Sequence, residues 1–143
     1  MASDAVNITP CFNLKMRQAS RILTSHYDGF LRELGITVTQ FSILRSLWYL
    51  KSTSQKNLQE ILVLQQTSMT RNLKPLIRDG YIQVLPSPDD GRVKLVSLTD
   101  EGKVLFQDAR KAWKKAQTIL ASQLGEDLSQ ELLHVTDAII ELA

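Results

Sequence analysis

The stretch from Gln65 to Gly102, QQTSMTRNLKPLIRDGYIQVLPSPDDGRVKLVSLTDEG, changes its local period and thereby constrains the fold more than any other part of the chain. From roughly Gln66 to Asp79, polar residues surround an apolar face of Leu73, Leu76 and Ile77 at helical spacing. Gly80 follows, where a helix end often needs a left-handed residue. Tyr81–Leu85 and Val93–Leu98 are rich in β-formers, and Pro86-Ser87-Pro88-Asp89-Asp90-Gly91 between them supplies turn residues. A helix running into a hairpin is predicted. Thr99 then caps a long helix, with Asp100 and Glu101 in its first turn opposing the positive end of the helix dipole.

Upstream, Phe12, Met16, Ala19, Leu23, Tyr27, Phe30 and Leu34 recur every three or four residues and predict a first long helix that Gly35 ends. Thr37 lies three residues before Gln40, a capping-box pattern that opens a second helix through Phe41, Leu44, Leu47 and Trp48. A polar stretch, Lys51–Lys56, precedes a short helix carrying Leu58, Ile61 and Leu62, and a tight connection at Val63–Gln65 leads into the polar-faced helix. Downstream, Leu105, Ala109, Ala112, Ala116, Leu120 and Leu124 mark a fifth helix; past Gly125, Leu128, Leu132, Val135, Ile139 and Leu142 mark a sixth. The predicted order is α-α-α-α-β-β-α-α, mainly α with a small β-hairpin. It describes residues 1–143 as a single winged helix-turn-helix domain, with a central lobe over about 37–98 and outer helices over about 12–34 and 100–143. The outer helices carry more apolar surface than this centre can cover, so a homodimer is expected.

The net charge of +2 is unevenly spread: residues 51–115 carry a net +5, while residues 116–143 carry no basic side chain and a net −5. The positive charge therefore lies with the polar helix and the hairpin, whose turn ends in Arg92. A polar-faced helix followed by a basic hairpin suits double-stranded DNA: the helix enters the major groove and the hairpin reaches the flanking backbone or minor groove. A winged helix that binds protein instead would tolerate the same fold without needing the basic centre. Nothing points to an enzyme. His26 and His134 make no metal pair, no Gly-rich phosphate loop follows a strand, and no cofactor is implied. No apolar run approaches a membrane span, so no membrane partner is expected. The single cysteine, Cys11, excludes an internal disulfide and makes a cytoplasmic location the default.

Several segments together resemble the MarR family of bacterial winged-helix transcriptional regulators. They are Gly35-Ile36-Thr37, Thr67-Ser68-Met69-Thr70-Arg71, Arg78-Asp79-Gly80-Tyr81-Ile82, and above all Pro88-Asp89-Asp90-Gly91-Arg92 followed by Leu95-Val96-Ser97-Leu98-Thr99-Asp100-Glu101-Gly102. The resemblance implies a homodimeric DNA-binding regulator, usually a repressor, that binds a short inverted repeat. Gln66, Thr67, Ser68, Thr70 and Arg71 then occupy the part of the recognition helix that enters the major groove, and Lys74 meets phosphate one turn on. Arg92 is the wing-tip arginine, and Asp90 holds it or its backbone in place. Two residues depart from the family pattern. Val63 stands where the turn often carries Gly; because a β-branched residue disfavours positive φ, a differently built turn is expected. Pro75 falls inside the recognition helix, where a kinked but continuous helix is expected.

The resemblance also implies a signal. A small aromatic effector would lodge between the dimer helices and the DNA-binding lobe, with Arg17, His26, Tyr27, Phe30 and Trp48 as candidate pocket residues. Alternatively, Cys11 in Pro10-Cys11-Phe12 resembles the single cysteine through which some family members sense organic hydroperoxides. Of the tyrosines that assist that chemistry, Tyr27 matches one, while Lys15 and Val38 stand near the places of the others.

Overall fold

A computed structural model describes residues 9–143, so the first eight residues of the predicted single domain lie outside the described residues. Helix α1 spans Phe12–Leu31 and continues as a short 3₁₀ turn, Arg32–Leu34, that ends at Gly35 with φ of 73°. Helix α2, Val38–Leu50, starts with the predicted capping box: the Gln40 N–H donates to Thr37 Oγ1 at 3.2 Å and the Thr37 N–H to Gln40 Oε1 at 3.0 Å. The Val38 N–H donates to Asp28 Oδ1 at 2.7 Å, which ties the head of α2 to α1. Helices α3, Gln55–Leu62, and α4, Gln66–Arg78, form the helix-turn-helix. Strands β2, Ile82–Pro86, and β3, Lys94–Leu98, form the wing hairpin, each within one residue of its predicted start. Helices α5, Asp100–Leu124, and α6, Glu126–Ile140, close the chain.

The predicted order lacked one element. Ser52–Ser54 forms a short strand, β1, antiparallel to β3 with Ser52 opposite Ser97, so the sheet has three strands in the order β1-β3-β2. Three small polar residues show no alternation of apolar and polar positions, so no strand signal was present. The core draws on the three helices of the lobe and on β2 and β3: Phe41, Leu44 and Leu47 of α2, Leu58 of α3, Met69, Leu73 and Leu76 of α4, and Ile82, Val96 and Leu98 of the two strands are buried. The first turns of α5, grouped by sequence with the outer helices, add Leu105, Phe106 and Ala109 to the same core. An aromatic stack fastens α5 to α2. Phe41 lies between Phe106 and Trp113, each at 5.7 Å, and Trp48 packs on Phe106 at 5.0 Å.

The turn before the recognition helix corrects an expectation. Val63 does adopt the left-handed conformation, with φ of 52° and ψ of 49°. The helix end dictates this. The Val63 and Leu64 N–H groups fold back onto the carbonyls of Glu60 and Gln59 at 3.3 and 2.9 Å, as at a glycine-capped terminus. The Val63 side chain is exposed, so no packing opposes the geometry. At Pro75 the expectation of continuity holds, and α4 runs through it without interruption. The proline removes the bond to the carbonyl of Arg71, but Arg71 is exposed and water can take the place of the lost donor. Among the described residues, no helix is long and apolar enough to cross a membrane.

Candidate nucleic-acid interface

The burial pattern along α4 separates two faces. Met69, Leu73 and Leu76 are buried, while Gln66, Thr67, Thr70, Arg71 and Lys74 are exposed at spacings of three and four that share one face. Ser68 is half-buried, and its carbonyl accepts from Asn72 Nδ2 at 2.7 Å. The helix therefore presents hydroxyl, carboxamide, guanidinium and ammonium groups in one strip, the set that reads base edges and phosphates. Three contacts hold the strip in place. The apolar face inserts into the core, Gln40 Nε2 donates to the Asn72 carbonyl at 3.4 Å, and Gln55 Nε2 donates to Thr70 Oγ1 at 3.2 Å. The sequence pattern gives Gln40 no role beyond the capping box and Gln55 none. A lone glutamine near a helix start carries no signal of its own.

Arg92 stands at the wing tip with its side chain almost fully exposed, and Asp90 governs it. Asp90 Oδ1 accepts from the Arg92 backbone N–H at 3.1 Å and from Arg92 Nε at 3.2 Å; Oδ2 accepts from Nη2 at 3.3 Å. The arginine is thus gripped at its backbone and along its guanidinium edge. The Arg92 side-chain hydrogen bond, followed by the backbone one, holds the Asp90 carboxyl below the usual carboxylate range. The turn itself is closed by Val93 N–H to the Asp90 carbonyl at 3.0 Å and Ser87 N–H to the Val93 carbonyl at 2.8 Å. Arg78, late in α4, is instead paired with Asp79 at 2.9 Å, and that bond lowers the Asp79 carboxyl. Its geometry fits a surface ion pair.

The candidate effector residues fall into separate places. His26, Tyr27 and Phe30 cluster on α1, with the His26 ring 5.5 Å from Tyr27 and 5.4 Å from Phe30. They pack on the second half of α5, where His26 Nε2 bonds the Ala116 carbonyl at 2.8 Å and the Tyr27 hydroxyl donates to Gln117. Burial raises the Tyr27 hydroxyl above its ordinary value. Trp48 packs instead on Phe106, ten residues and about 15 Å earlier along α5. Arg17 is exposed on α1, more than two turns before His26. Cys11 is exposed at the head of α1, sixteen residues before Tyr27, a rise of about 24 Å along the helix.

Residues 36–94, which include the helix-turn-helix and most of the wing, match the MarR family. The organic hydroperoxide resistance transcriptional regulator of Bacillus subtilis (strain 168) is 36% identical over 114 residues, covering 78% of this chain and 76% of that protein. The M. tuberculosis transcriptional regulator MOSR, solved in complex with DNA, superposes with a TM-score of 0.77 at 29% identity, covering 91% of this chain and 96% of that one. A mutant MarR from E. coli complexed with operator DNA superposes with a TM-score of 0.80 at 23% identity, covering 89% and 91%. The family resemblance spans the recognition helix and the wing alike, and its members are regulators, not enzymes. The chain belongs to the MarR family of winged-helix transcriptional regulators that bind DNA.

Proposed function

We propose that this chain is a repressor that acts as a homodimer, each copy placing the first half of α4 in a major groove of a near-palindromic operator and its wing beside it. The observation that carries this reading is the strip of Gln66, Thr67, Thr70, Arg71 and Lys74, fully separated from the buried face of α4, together with an arginine pre-set on the wing by Asp90. Thr67, Ser68, Thr70, Arg71 and Gln66 contact base edges and phosphates; Lys74 contacts phosphate; Arg92 enters or borders the minor groove. Titrating the protein against DNA from upstream of its own gene at two salt concentrations tests the reading. Affinity is expected to fall steeply with salt, and a flat response would remove DNA from the mechanism. Arg92→Ala is expected to weaken binding about tenfold or more with an unchanged melting temperature. Unchanged affinity would take the wing out of the interface.

Release by a small aromatic effector belongs to the same reading. The aromatic cluster where α1 meets α5 supports it, because a ligand wedged there would shift the outer helices against the lobe. A second signal is oxidation of Cys11, favoured by its exposure at the head of α1 and by the relative named for organic hydroperoxide resistance. Adding cumene hydroperoxide to the DNA complex separates the two signals: release that persists in Cys11→Ser would exclude the thiol.

A further inference from the structure

Helix α3 carries no residue assigned to DNA, yet it grips one that is. Gln55, the first residue of α3, is half-buried, and its Nε2 donates to Thr70 Oγ1 at 3.2 Å and to Gln59 Oε1 at 3.3 Å. Both protons of the amide are therefore committed. Closing the head of α3 does not require Gln55, because Ser54 Oγ already accepts from the Asn57 N–H at 3.1 Å. The amide pair thus has one evident object, the hydroxyl of Thr70, which is exposed on the polar strip of α4.

A threonine hydroxyl holds one proton and two acceptor lone pairs, and within a helix its side chain divides between two rotamers. Untethered, such a group offers a base either role, donor or acceptor. A bond received from Gln55 favours the rotamer that turns Oγ1 toward α3, and it occupies a lone pair on that side. The O–H and the second lone pair remain, and accepting from the amide polarises the O–H so that donation becomes the stronger of the two.

We propose that Gln55, itself oriented by Gln59, is a positioning residue for base readout: it fixes Thr70 and biases its hydroxyl toward donating, so that Thr70 favours a base-edge acceptor. In the major groove those acceptors are N7 of either purine, O6 of guanine and O4 of thymine, and the base disfavoured is cytosine, whose edge presents an N4 donor. The inference rests on the reading of α4 as the helix that enters the groove.

The test begins with the full chain and a pool of random duplexes, from which the wild-type protein selects its preferred site. Affinities are then measured for that site and for each of its single base-pair substitutions. Gln55→Met keeps the length and loses the donor; Thr70→Val keeps the shape and loses the hydroxyl. Each is expected to lower discrimination roughly three- to tenfold at the same one or two positions of each half-site. The double variant should lose no more than Thr70→Val alone, since the two residues act through one contact. Gln55→Glu presents only acceptors, so Thr70 donates to it and turns lone pairs outward; preference at that position should move toward bases bearing an amino donor. Gln55→Ala, with its high helix propensity, repeats the measurement should methionine disturb folding.

Full discrimination in both Gln55→Met and Gln55→Ala overturns the proposal. So does a loss that adds to that of Thr70→Val, or a uniform drop at every position with a shallower salt slope, which marks a phosphate contact instead. If the wild-type chain enriches no sequence, the DNA reading fails as well. A site that the wild type selects and that is insensitive to Gln55 sinks only the role of Gln55.

Discussion

At Val63 the backbone holds a β-branched side chain in the left-handed region, a placement that ordinarily costs about 1–2 kcal/mol. The exposed isopropyl group recovers little of that through packing. Val63→Gly is therefore expected to raise stability by about 1 kcal/mol in urea unfolding, after the added freedom of the unfolded chain is deducted. A loss would mean that the side chain makes contacts in the dimer. Gly102 makes the opposite case. It sits in the first turn of α5 against Tyr81, the residue just before β2, and a Cβ there would overlap the carbonyl oxygen of Tyr81, which is backbone and already accepts from the Thr99 N–H at 3.1 Å. Gly102→Ala should lower stability by about 1–3 kcal/mol, because either α5 or the wing must shift. Urea unfolding with a midpoint equal to wild type would show that the junction yields freely.

Elements whose signals are local were legible in the sequence. The capping box at Thr37 and Gln40, the left-handed Gly80 and the two wing strands each depend on residues within one turn or one hairpin, and the structure has them within one residue. What escaped was set at long range. Strand β1 exists because Ser52–Ser54 pairs with Leu95–Ser97 of β3, far along the chain, and its own sequence shows no alternation of apolar and polar positions. The grip of Gln55 on Thr70 arises only once α3 and α4 cross, and nothing in the sequence distinguishes Gln55 from a solvated glutamine. The polar strip and the wing arginine were legible because each follows from periodicity or turn position alone. Pro75 lies between these cases: its presence is plain, but its tolerance depends on the exposure of Arg71. Since α4 is continuous, the proline weakens a helix it does not break. Pro75→Ala is expected to stabilise the protein by about 1–2 kcal/mol in urea unfolding, through the restored N–H and better helix propensity. A lower midpoint would show that the half-buried ring packs for more than the lost bond.

At the scale of the whole molecule, α5 joins two bodies of different character. Its first turns are fastened to the lobe by Leu105, Phe106 and the aromatic stack, while its second half runs beside α1 and α6. Beyond Ala116, which is still buried, α5 and α6 have no fully buried residue. Leu120, Leu124, Leu128, Leu132 and Val135 line an open apolar groove with Ile22, and Ile22 and Val135 are 71% and 50% exposed in the single chain. A second copy is the occupant that the family membership and the apolar outer helices favour, and dimer interfaces of this kind bury on the order of 1,200–2,000 Å² or more. Ile22→Asp and Val135→Asp place a charge on that groove without touching the lobe core. Both should leave the helical circular dichroism intact and shift sedimentation from dimer to monomer at micromolar concentration. Operator affinity should then fall by at least about a hundredfold, since one half-site engages alone and the gain from tethering the second is lost. The two readouts must move together. A monomer that keeps full affinity would show that pairing is not how the DNA is read, and an unchanged dimer would place the interface on another face.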